Sequence, residues 1–203
     1  HLAESVRLFD EAGWNESASY SRLSAAVHVA RSGDLDGALI MFEAARKNLS
    51  EIVRDDHLIA NNWSVLEMLQ ASPDYERVRN TLKSALFFVG DDFSELTLLS
   101  NLTPAAVKMG DVDLVTTAIE RIRSILNRPK FGEKGIYWDA TYSVINALTA
   151  IGRAGDIEEF SRLRLAHCPT RSVHRDYWQY RFGEPLQPAE KYRTMLRHSH
   201  HAS

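Results

Sequence analysis

The sequence predicts an all-α chain of about four antiparallel helical hairpins stacked as an α-solenoid, with a C-terminal extension. Three observations carry this. First, Asp34, Asp74, Asp111 and Asp156 each stand where a helix would open, directly after Gly33, Pro73, Gly110 and Gly155. Gly accepts the left-handed backbone that ends one helix. Asp accepts hydrogen bonds from the free amides of the next, so each pair predicts a tight corner between two helices. Second, these corners recur at spacings of 40, 37 and 45 residues, near the period of helical repeats. Third, an apolar stripe repeats in register with them.

That stripe fixes which faces must be covered. Two residues after each corner stand Leu35, Tyr75, Val112 and Ile157; five after stand Ala38, Val78, Val115 and Phe160; nine after stand Phe42, Leu82, Ile119 and Arg164. Steps of three and four put each set on one helical face, broken only at Arg164. Eight residues before the corners stand Ala25, Val65, Leu102 and Ala147, and four before stand Val29, Leu69, Ala106 and Ile151. Small and aliphatic side chains there let paired helices approach closely. One hairpin cannot bury both faces, so neighbours must stack.

Taken in order, helices are expected over 2–12, 16–32, 35–52, 56–71, 74–89, 93–109, 112–127, 137–154 and 157–167. No strand pattern competes. Asp55-Asp56-His57 and Asp91-Asp92 read as helix starts, where carboxylates complement the amide dipole. Ala85 to Val89, the most apolar short segment, reads as core, and no run approaches the ~20 apolar residues of a membrane span. Pro104 should kink the sixth helix or start its regular part. Asn127 to Gly135, rich in Pro, Gly and Lys, reads as the one long loop.

The repeat pattern covers 1–167, and 168–203 forms a separate extension. Its segment Arg175 to Phe182 is dense in aromatics and cations, including Tyr177, Trp178 and Arg181, and a short helix is expected after Pro188. It reads either as a cap on the stack or as a docking site, since Tyr, Trp and Arg dominate binding hot spots.

Composition narrows the classes further. The single Cys168 cannot form an intramolecular disulfide, so an intracellular compartment is the default expectation. Asn15, Asn48, Asn62 and Asn101 fall in glycosylation sequons that read as chance, two of them within expected helices. The first residue is His1, so no targeting signal is read from this end. Net charge is −3, but residues 1–100 carry 9 Lys/Arg against 16 Asp/Glu, and residues 101–203 carry 15 against 11. Only the C-terminal half has the sign that grips a phosphate backbone.

No catalytic pattern emerges. Gly132-Glu-Lys-Gly135 lacks the spacing of a phosphate loop, and there is no HExxH pair, paired-Cys spacing or GxSxG elbow. His167, Cys168 and His174 are neighbours in sequence, which does not establish a nucleophile and its base. His198, His200 and His201 lie in a polar tail. The expectation is no enzyme, no cofactor and no metal.

Gly33-Asp-Leu-Asp-Gly-Ala-Leu-Ile-Met-Phe-Glu-Ala-Ala45 resembles the second helix of a tetratricopeptide repeat, with Ala38, Phe42 and Ala45 at packing positions. With Ser19-Tyr20-Ser21-Arg22-Leu23 before it, the stretch is more similar to the pentatricopeptide variant. So is Ala140-Thr-Tyr-Ser-Val-Ile-Asn-Ala-Leu148 followed by Gly155-Asp-Ile-Glu-Glu159. The resemblance covers about residues 16–167 and is weakest in the middle two repeats. In the pentatricopeptide family a polar residue of the first helix faces a groove and reads an RNA base. Nine residues before the corners stand Ser24, Ser64, Asn101 and Asn146, types the family uses there. The same positions suit a helix-to-helix hydrogen bond.

Two functions follow as expectations. One is a non-catalytic scaffold that binds a protein partner, a subunit of a larger and, by resemblance, mitochondrial or plastid assembly. The other is organellar single-stranded RNA binding, drawing on Arg121, Arg123, Arg128, Lys130 and Lys134. A regulatory repeat region cut from a longer signalling ATPase is a third.

Overall fold

The computed structural model describes residues 2–49, 56–128 and 136–166; the described residues form nine helices and no strand. They are α1 (Leu2–Glu11), α2 (Asn15–Arg31), α3 (Leu35–Lys47), α4 (His57–Met68), α5 (Tyr75–Leu86), α6 (Asp92–Met109), α7 (Val112–Leu126), α8 (Ile136–Ala150) and α9 (Ala154–Ala166). The chain divides into two compact units, His1–Ala118 and Ile119–Ser203, the division falling within α7. The expected boundary after residue 167 lies outside the described residues. None of the described helices is long and apolar enough to cross a membrane.

In the first unit α2 packs on α1 and α3, while α4 packs on α2, α3, α5 and α6. The first helices of successive hairpins, α2, α4 and α6, therefore follow one another. The stripe behaves as its period requires. Ala38, Val78 and Val115, five residues past the corners, are buried, as are Phe42, Leu82 and Ile119 at nine; Val112, at two, is half exposed. Phe42 sits among Leu23, Ala26, Ala45, Ile59 and Leu66, joining α2, α3 and α4 in one cluster.

Corner chemistry shows how the sequence divides the helices. Gly33 and Gly110 adopt left-handed φ values of 105° and 68°. The following amides, of Asp34 and Asp111, donate to the carbonyls of Val29 and Ala106, closing the helix end. The Asp side chains then cap the next helix, Asp34 accepting from the Gly37 amide and Asp111 from that of Leu114. Gly13 repeats this device: the Trp14 amide reaches the Phe9 carbonyl, and the two rings stack at 5.9 Å. The Pro73 corner has no such glycine. There the Glu67 carboxylate closes the end of α4, accepting from the Asp74 amide and from Gln70 Nε2.

The fourth corner requires a correction. The left-handed residue is Gly152, φ 75°, and the Arg153 amide donates to Leu148. Gly155 lies inside α9, and Asp156 pairs with Arg153 within the first turn of that helix rather than capping it. The corner therefore comes three residues early. In the second unit α8 and α9 pack together, with Ala140, Val144, Leu148 and Phe160 buried.

The sixth helix runs as expected with Pro104 inside it, α6 being helical from Asp92 to Met109, and Leu102, Ala105 and Ala106 on either side of Pro104 are buried. Packing supplies what the missing amide cannot. One further expectation is amended. Ala85 to Val89 is not a core stretch: Ala85 is buried, but Phe87 is 87% and Phe88 81% exposed. α5 ends at Leu86, so the stripe loses its period there and both rings leave the packed face.

Asp91, at the start of α6, accepts from the Ser94 amide at 2.9 Å. That hydrogen bond is the main reason its carboxyl is held below the ordinary aspartate range. A depressed folded value contributes stability above the unfolded value, and the contribution is lost as pH falls through the folded one. Asp91→Ala should thus cost about 1 kcal/mol near neutrality and distinctly less at pH ~3. Urea unfolding of both proteins at the two pH values checks this; an undiminished gap in acid would refute it.

Candidate partner-binding surface

The polar residues expected in a groove do not share one environment. Asn101, on α6, donates from Nδ2 to Oδ1 of Asn61 on α4 at 2.7 Å. Its side chain thus makes the helix-to-helix bond that the sequence left open beside ligand reading. Ser64 is fully buried, its hydroxyl without a partner among the described residues, and touches no solvent. Ser24 and Asn146 are exposed. With the corner at Gly152, the residue nine before it is Ser143, so Asn146 is out of register with the other three. Tyr177, Trp178 and Arg181 lie outside the described residues, as do Lys130, Lys134, His167, Cys168 and His174. Among the described residues no three His, Cys, Asp or Glu side chains converge as metal ligands would.

Arg123 lies on α7 with its guanidinium 5.4 Å from the Phe160 ring centroid, and its Nε and Nη2 are buried. Neither nitrogen has a hydrogen-bond partner among the described residues.

The surface the sequence missed lies between α3, α4 and α5, where a cleft of about 620 Å³ opens within the first unit. Its apolar wall includes Phe42 of α3, Ile59 of α4 and Ala85 of α5, stripe residues whose inner edges the cleft reaches. Trp63, from the middle of α4, lines it too, and the Arg77 guanidinium from the first turn of α5 stacks 4.8 Å from that ring's centroid. Phe88 joins the lining. Phe87, its neighbour in sequence, is equally bare.

The acidic groups here are engaged. Glu43 holds Arg46 one turn along α3. Asp56 caps α4 through the Leu58 amide and accepts the Tyr20 hydroxyl at 2.8 Å, tying α2 to the start of α4. Burial first, and that hydrogen bond second, push the Tyr20 phenol above the ordinary tyrosine range. The phenol therefore stays protonated as a donor where an exposed tyrosine would ionise.

A sequence signal for this surface existed. Phe87-Phe88 follows the last stripe position of α5, Ala85, and precedes Gly90-Asp91-Asp92, so two large apolar residues stand where the helix was due to end. The arrangement offers apolar area, an aromatic shelf and the Arg77 cation beside the Glu43–Arg46 pair. It is suited to holding a side chain, and its volume lies within the 300–1,000 Å³ typical of binding sites. Comparison of the chain with family models, with curated proteins and with solved structures gave no match.

Proposed function

We propose that this protein is a non-catalytic helical-repeat scaffold, of pentatricopeptide or tetratricopeptide type, that binds another protein as a structural or assembly subunit of a larger complex. In this reading the hairpins of the first unit stack as a short solenoid, with α2, α4 and α6 as one layer. A mitochondrial setting accompanies the family resemblance. The observation that carries the proposal is the adjacent pair Phe87 and Phe88, both more than four-fifths exposed, of which Phe88 lines an open cleft. Single exposed apolar residues are ordinary, but adjoining aromatics at the rim of a concavity mark surfaces that a partner covers.

RNA binding draws less support. The Asn101 amide is committed to Asn61, Arg123 packs on Phe160, and the first hundred residues are net acidic. The test is purification from the native source with identification of whatever co-elutes, beside the Phe87→Ser/Phe88→Ser double variant. A partner retained by the wild-type chain and lost with the variant, its helical circular dichroism unchanged, is the expected result. Tight, salt-sensitive binding of short RNA that Asn101→Ala and Asn146→Ala abolish would displace the proposal.

A further inference from the structure

We infer that the cleft between α3, α4 and α5 takes a peptide segment of a partner protein that presents a large apolar side chain next to a carboxylate. The inference rests on the protein-binding reading above and names the chemistry of its partner. It concerns second helices of the hairpins, α3 and α5, and not the first-helix positions Ser24, Asn101 and Asn146.

The apolar half of the ligand follows from the lining. Trp63 supplies a flat shelf and Phe88 a ring bare to solvent, while Phe42, Ile59 and Ala85 behind them are buried and present only their edges, with Asn80, Thr81 and Ser84 completing the lining. The exposed faces of Trp63 and Phe88 are covered most favourably by a large aliphatic or aromatic side chain.

The acidic half follows from the state of each charged group. Glu43 and Arg46 neutralise one another, and Asp56 is engaged by the Tyr20 hydroxyl and the Leu58 amide. Arg77 differs, for its guanidinium lies over the Trp63 ring and pairs with no carboxylate among the described residues. Arg77 is an exposed residue, so an N–H edge of its guanidinium remains open to a ligand. That edge matches a carboxylate with two parallel hydrogen bonds. An Arg already held against an aromatic ring loses less rotamer freedom when it pairs.

Charge also decides between a peptide and a nucleic acid. Residues 1–100 carry 9 Lys/Arg against 16 Asp/Glu. A single carboxylate at hydrogen-bond range feels Arg77 first, whereas a chain of phosphates feels the whole acidic unit and is repelled.

The experiment uses fluorescence anisotropy with the full chain and two short labelled peptides in a Gly/Ser/Ala background. Each carries one Phe, flanked by Glu in one peptide and by Lys in the other. The Glu peptide should bind about tenfold more tightly, the Arg77→Gln chain should lose that preference, and Arg77→Glu should invert it. Phe88→Ser should weaken binding in every combination. Circular dichroism of each variant, with exposed positions 77 and 88 as the only changes, confirms folding. Equal binding of the two peptides, no binding of either, or an Arg77-dependent preference for oligouridylate would overturn the inference. A co-purified protein that needs Phe87 and Phe88 but binds Arg77→Gln as it binds wild type would overturn this inference alone. Loss of every protein partner would overturn the reading beneath it.

Discussion

Phe42→Ala lowers the unfolding free energy of the first unit by about 3–5 kcal/mol, whereas Phe88→Ala changes it by less than about 0.5 kcal/mol. The two residues are chemically identical, and both line the cleft. They differ in what surrounds the ring. Phe42 is 1% exposed and joins Leu23 and Ala26 of α2, Ala38 and Ala45 of α3, and Ile59 and Leu66 of α4. Truncation there removes the transfer free energy of a benzyl group and leaves a cavity that three helices cannot close without moving. Against a total stability of about 5–15 kcal/mol for an ordinary domain, that is a large share. Phe88 is 81% exposed, so its ring gains little from folding. Urea unfolding followed by circular dichroism measures both. A loss below about 1 kcal/mol for Phe42→Ala would show that the stripe is not the source of the hairpins' cohesion.

This contrast also locates where sequence reasoning succeeds. Period alone placed Ala38, Phe42, Val78, Leu82, Val115 and Ile119 on buried faces, because a helix leaves such residues no other way to escape water. It failed at Phe87 and Phe88, since hydrophobicity without period does not say which side a residue faces. The segment reads as core on composition, but the helix ends at Leu86. Asn101 shows a different limit. Its spacing marked it as a polar residue on an inward-turned face, but whether its amide meets a ligand or another helix depends on what lies opposite. The opposite residue, Asn61, is 40 positions away and belongs to the preceding hairpin. Trp63 and Arg77 are likewise joined across a corner, and their stacking has no local signature in sequence. Beyond the signal at Phe87-Phe88 the cleft is therefore not legible in the sequence, although each of its walls lies on an expected helix.

The fourth corner tests the same distinction between a local motif and its context. Gly155-Asp156 copies the Gly33-Asp34 and Gly110-Asp111 pairs residue for residue, yet the chain turns at Gly152. What decides is the apolar stripe. With Gly152 as the corner, the residues eight and four before it are Val144 and Leu148, both fully buried; with Gly155 they are Ala147 and Ile151, and Ile151 is only partly covered. Burial of Val144 and Leu148 sets where α8 must stop, and the Arg153 amide then closes it on Leu148. Two substitutions separate the alternatives by sign. Gly152→Ala forces a side chain into left-handed backbone and should cost about 1–2 kcal/mol, although nothing lies within 4 Å of the added Cβ. Gly155→Ala falls within the first turn of α9, in open space, and should be neutral or stabilise by up to about 1 kcal/mol. Were the corner at Gly155, the signs would exchange, because the strained residue would be Gly155 and Gly152 would lie within helix. Thermal unfolding of the two variants beside wild type reads that order directly, and a destabilised Gly155→Ala with an unaffected Gly152→Ala would return the corner to the acidic pair.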